Sequence, residues 1–93
     1  MFKYRIKIRP ASDEENPREC LLEEVSLDNF EIRLNAMMAD IRNTPGIMSL
    51  IRIEHEIIIS TNFDVASIKG KLKPFFSRDH CHIRFVELEE VTV

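Results

Sequence analysis

Phe2-Lys3-Tyr4-Arg5-Ile6-Lys7-Ile8-Arg9 alternates apolar and cationic side chains without a break, and no other stretch constrains the fold as tightly. Successive side chains of a strand leave opposite faces, so Phe2, Tyr4, Ile6 and Ile8 meet a core while Lys3, Arg5, Lys7 and Arg9 form one row behind it. A strand of this kind belongs to a sheet covered on one face only. The row of cations needs anions, and three sources satisfy it on paper: a nucleic acid, a partner protein, or the chain's own carboxylates.

Working outward, Pro10-Ala11-Ser12-Asp13-Glu14-Glu15-Asn16-Pro17 has the composition of a loop. Residues 1–10 carry a net charge of +4, residues 11–31 carry −7, and the remainder balances, giving −3 over 93 residues. That asymmetry marks residues 10–25 as an acidic arm, with Asp13, Glu14 and Glu15 at its start, that folds back on the cationic strand or is read by a partner. Cys20-Leu21-Leu22-Glu23-Glu24-Val25 reads equally well as a short strand or as a turn into the next element.

Leu27, Phe30, Leu34, Met37, Met38 and Ile41 recur at helical spacing and predict an amphipathic helix, with Ser26 as N-cap and Asn43-Thr44-Pro45-Gly46 as its stop. The two β-branched runs Ile47–Ile53 and Glu56–Thr61 read as strands joined by a turn at Glu54 and His55. Asp64 caps a second helix that turns Val65, Ile68, Leu72, Phe75 and Phe76 inward, and Pro74 disturbs its last turn. A final strand covers residues 81–88, and residues 89–93 form a tail strand. Two one-sided helices need one sheet face to cover. The order strand, helix, strand, strand, helix, strand therefore predicts an α+β, ferredoxin-like βαββαβ sandwich, with a four-stranded antiparallel sheet and strands one and three central.

Ninety-three residues make a single domain, 1–93, able to fold without metal or disulfide. No apolar run approaches the ~18 residues of a membrane span, and the N-terminus does not have the pattern of a secretory signal. These features predict a soluble, cytoplasmic chain with no membrane partner, whose Cys20 and Cys81 stay reduced. Asp79-His80-Cys81-His82 gathers the potential metal ligands; His80 and His82 share a strand face at a partly exposed strand start, but two imidazoles without a third ligand do not make a site. Only two glycines, Gly46 and Gly70, are present, and neither belongs to a phosphate loop. The expectation is no catalytic residue, no metal and no cofactor. Lys3, Arg5, Lys7, Arg9 and Arg84 supply positive charge for a partner or a nucleic acid, but Phe2 and Tyr4 lie on the wrong face to stack bases. Pairing with Glu87, Glu89 and the acidic arm is the simpler account of the row.

The segment Glu56-Ile57-Ile58-Ile59-Ser60-Thr61, the entry Asn62-Phe63-Asp64, the helix with Ile68 and Leu72, Leu72-Lys73-Pro74-Phe75-Phe76 and the closing Ile83-Arg84-Phe85-Val86-Glu87-Leu88 together resemble the second half of the small family around CRISPR-associated protein two, with its toxin and antitoxin relatives. The resemblance implies a homodimer, with the tail after Leu88 adding a strand to the neighbouring subunit. Nucleases of that family hold a divalent metal with an acid at the end of the first strand. Here that stretch is Lys7-Ile8-Arg9-Pro10, whose cations oppose a metal, so no catalytic role carries over. The resulting expectation is a small non-enzymatic interaction or regulatory protein, inhibitor- or antitoxin-like, acting as a homodimer on another protein through its open sheet face and acidic arm. The alternatives are a nucleic-acid-binding protein or metal-dependent ribonuclease of the resembled family, and a small-molecule sensor dimer.

Overall fold

A computed structural model describes residues 1–12, 14–15, 26–75 and 82–91. The elements are β1 (Phe2–Pro10), α1 (Leu27–Arg42), β2 (Ile47–Ile53), β3 (Glu56–Thr61), α2 (Val65–Leu72) with a following 3-10 turn (Lys73–Phe75), and β4 (Ile83–Glu90). The expectations for Asp13, for residues 18–25, for Phe76, His80 and Cys81, and for the end of the tail at Thr92 and Val93 fall outside the described residues.

The chain is α+β, with a four-stranded antiparallel sheet in the order β2-β3-β1-β4 and two helices. β1 and β3 are central, as the sequence predicts. β1 runs antiparallel to β3, with Tyr4 opposite Ile59 and Ile6 opposite Ile57, and antiparallel to β4, with Ile6 opposite Leu88. Glu89 and Glu90 belong to β4 of the same sheet, and Val91 N–H continues its ladder by donating to Lys3 O at 2.8 Å.

One cluster holds the core. Phe30, Leu34, Met37, Met38 and Ile41 of α1 and Ile68 and Leu72 of α2 pack with Tyr4, Ile6, Ile8, Leu50, Ile57, Ile59 and Ile83. The register places those strand residues on a single face, so both helices cover the same side of the sheet. The apolar stripe of α1 begins at Phe30, because Leu27 at the first helical position is exposed. Val65 and Phe2 are also partly exposed, and Phe2 finishes the strand by stacking on Tyr4 with ring centroids 6.1 Å apart.

Two hydroxyls drawn into this core, those of Tyr4 and Thr61, find partners, which is what keeps their burial from costing stability. Tyr4 is fully buried because its hydroxyl donates to Phe63 O at 2.8 Å; burial first, then the charges of Glu90 and Asp64, push its pKa up. Thr61 donates its hydroxyl to Gly46 O at 2.7 Å, tying the exit of α1 to the end of β3. Gly46 has φ +95, and a Cβ there would lie 2.4 Å from the Phe63 ring, so the helix stop requires glycine for both conformation and space. Both helices are capped as predicted: Ser26 Oγ accepts from Asn29 N–H at 3.2 Å, and Asp64 Oδ1 from Ser67 N–H at 2.8 Å.

Candidate functional site: the open sheet face

The face of the sheet away from the helices is ordered by column. Reading across the strands from β2 to β4, one row is Ile51, Ile58, Arg5, Glu89 and the next is Ile53, Glu56, Lys7, Glu87. Along these two rows the surface changes from apolar on β2 to mixed charge in the middle, with Glu56 beside Arg5 and Lys7, and to anionic on β4. Ile51 and Ile53 are each 54% exposed, well above what a folded chain leaves open in its core.

The cationic row is already in anionic company. Arg5 Nη1 lies 3.1 Å from Glu89 Oε1 and its Nε 3.5 Å from Glu56 Oε2. Lys7 Nζ lies 3.0 Å from Glu87 Oε1, and Arg9 holds Glu15 in a bidentate fork at 2.6 and 2.7 Å. These hydrogen bonds raise the pKa of Lys7 and of Arg9. Lys3 makes no ion pair among the described residues. The sequence predicts the carboxylates of β4 and of the arm as partners; Glu56 it misses, because only the register of β3 against β1 brings that side chain beside Arg5 and Lys7.

At the end of the row, Arg9 and Arg84 stand opposite each other on β1 and β4, an unfavourable placement for two like charges. Glu15 resolves it. Its carboxylate takes Arg9, and its backbone carbonyl accepts from Arg84 Nη2. The same carboxylate accepts from Ser12 N–H and from Ser12 Oγ, both at 3.1 Å, so the start of the acidic arm closes as a turn on the cationic strand. Glu14 is exposed on that turn.

A second charged contact fastens the β2–β3 turn to α1. Arg52 makes a bidentate contact with Glu31, with Nη2 at 2.6 Å from Oε1, and donates Nε to Glu54 O at 2.6 Å. Glu54 takes φ +54, a left-handed conformation uncommon for a residue with a side chain, and so turns that carbonyl toward Arg52. The His55 and Phe30 rings form a T-shaped pair with centroids 5.3 Å apart. Beside this turn lies a concavity of about 380 Å³ lined by Lys7, Ile8, Ile53, Glu54, His55, Glu56 and Val86. Val86 reaches it because the register of β1 against β4 slips between Lys7 and Ile8.

His82 is a correction to the sequence reading. It is not a partly exposed residue on a strand face but 1% exposed, just before β4, with φ 66. Its carbonyl accepts from Ala11 N–H at 2.8 Å, which carries the β1–β4 pairing one step beyond Pro10 and Ile83. Among the described residues no group of three or more His, Cys, Asp or Glu side chains is arranged to hold a metal, and no helix is long and apolar enough to cross a membrane.

The carboxylates of these contacts predict how stability follows pH. Arg9 and the Ser12 amide hold the Glu15 pKa at about 2, Arg52 lowers that of Glu31, and the Ser67 amide lowers that of Asp64. A depressed folded-state pKa contributes stability that is complete above the unfolded value and disappears as pH falls through the folded one. Urea midpoints are therefore expected to hold steady down to about pH 5 and then fall progressively toward pH ~2, with Glu15→Gln flattening the lower part of the curve. A midpoint unchanged over that interval would show that these contacts contribute nothing to folding.

Comparison with protein families and with curated proteins returned no match to this chain.

Proposed function

We propose that this chain is a non-enzymatic, ferredoxin-like interaction module that works as a homodimer through its open sheet face and, in that form, regulates another protein. Read from its other edge, the strand order is β4-β1-β3-β2, with each helix crossing between strands that flank a third, which supports the ferredoxin-like reading. The observation that carries the functional reading is the group of Ile51, Ile53 and Ile58 beside Arg5 and Lys7, which Glu56, Glu87 and Glu89 already neutralise. Apolar centre and polar rim are the anatomy of a protein interface. A two-fold axis near β2 and β3 would bury the isoleucines of one copy on those of the next and leave the ion-paired rows at the rim. Nucleic acid suits this face less well, because a phosphate would have to compete with Glu56, Glu87 and Glu89 for cations they already hold.

Sedimentation over a concentration series tests the reading. The protein is expected to associate reversibly to a dimer, and the double variant Ile51→Asp, Ile53→Asp to stay monomeric with its melting temperature within a few degrees of the parent, because both side chains are already half in water. A parent chain that stays monomeric at about 100 μM, where even weak specific dimers form, would overturn it. Retention on RNA or DNA at low salt that weakens steeply as salt is raised would favour the nucleic-acid alternative instead.

A further inference from the structure

The start of the acidic arm holds a feature that self-association does not use. Both Nη atoms of Arg9, the Ser12 amide and the Ser12 hydroxyl converge on one carboxylate, that of Glu15. This is an anion site built by the chain and filled by the chain. The hydroxyl that helps to form it belongs to an exposed residue on a turn, where another protein's active site can reach it. Ser12 is also the one serine of the sequence followed directly by three acids, Asp13, Glu14 and Glu15. Among the other described serines, Ser26 caps α1 and Ser60 is buried, while Ser49 and Ser67 are exposed but lie within β2 and α2, whose regular backbone an enzyme would have to unwind.

We propose that Ser12 is the phosphoryl acceptor for an acid-directed serine/threonine protein kinase, and that its phosphate takes Arg9 from Glu15. In the transfer, Ser12 Oγ attacks the γ-phosphorus of ATP, the bond to the bridging oxygen of ADP breaks, ADP leaves with that electron pair, and the hydroxyl proton passes to the kinase's catalytic carboxylate. Asp13 and Glu14, the two acids directly after Ser12, suit a kinase whose substrate groove is basic, while the Glu15 carboxylate is held by Arg9.

The phosphate then arises inside the anion site. Ser12 Oγ is 3.1 Å from Glu15 Oε1, so the new group, with a charge of about −1.5 to −2, cannot share the fork comfortably with the carboxylate. It outcompetes Glu15 for Arg9 by its charge and its three acceptor oxygens. Modification moves the anchor of the acidic arm from Glu15 to Ser12 and frees a carboxylate at the end of the cationic row.

The test treats the full chain with a purified acid-directed kinase and Mg-ATP, maps phosphate by mass spectrometry, and follows the Glu15 side-chain carboxyl by NMR titration before and after. The expected result is one phosphate per chain, on Ser12, absent in Ser12→Ala, with the Glu15 carboxyl rising from about 2 toward its ordinary value of 4.5. Absence of phosphate on Ser12, or equal incorporation in Ser12→Ala, overturns the acceptor assignment. Phosphate on Ser12 with the Glu15 titration unmoved overturns the exchange of anions at Arg9.

Discussion

Phe30→Ala is expected to cost about 4 kcal/mol, a large share of the roughly 5–15 kcal/mol that holds a domain of this size together. Phe30 is fully buried and is the first core residue of α1. Its ring carries two loads. It fills the space between α1 and the sheet, and it makes a T-shaped contact with the ring of His55, which belongs to the β2–β3 turn. The same end of α1 carries Glu31, which grips Arg52. Truncating the ring therefore leaves a cavity and also removes one of two contacts that hold the hairpin end against the helix. Urea unfolding should show the midpoint falling with little change in slope, and amide exchange should quicken first around Glu54 and His55. A loss under about 2 kcal/mol would mean that the core closes over the gap and that the Arg52–Glu31 contact and the bond from Ile8 N–H to His55 O suffice to hold the turn.

How much of this was readable beforehand depends on whether a residue's environment is set by its own element or by pairing. The alternation from Phe2 to Arg9 needed nothing else, since a period of two fixes faces whatever the neighbours are. The stripe from Phe30 to Ile41 and the caps at Ser26 and Asp64 were local in the same sense. Ile51 and Ile53 were not. A run such as Ile51-Arg52-Ile53 says that alternate residues differ in face, but Arg52 turned out to be on the helix side, held by Glu31, while the isoleucines went to the open side. An edge strand's inward cation inverts the usual pattern, and only the register reveals it. Glu56 was unreadable as a partner of Arg5 for the same reason, whereas Glu87 and Glu89 could be matched to the row by charge alone. His82 escaped because a left-handed residue ahead of a strand leaves no periodic trace.

Reversing the whole row, with Lys3→Glu, Arg5→Glu, Lys7→Glu and Arg9→Glu together, is expected to unfold the protein or to lower its melting temperature by more than ~10 °C at low ionic strength. The change takes the net charge from −3 to −11 and sets four new carboxylates among Glu15, Glu56, Glu87 and Glu89. Each contact here is half exposed, and an isolated surface pair contributes little. The effect comes from the row as a network, in which attraction along two central columns becomes repulsion between neighbours on paired strands. Two treatments should restore the fold in part: salt near 1 M, where the Debye length shrinks to about 3 Å, and acidification toward pH ~4, which protonates the crowded acids. This bears on function, because a reversed chain that no longer binds a partner or a nucleic acid has lost its fold before it has lost a binding surface. Glutamine at the same four positions removes the cations with much less repulsion and is the variant from which binding can be judged. If the reversed protein instead melts within about 3 °C of the parent, the carboxylates are dispensable to the row, and Lys3, Arg5, Lys7 and Arg9 stand free for an anion from outside.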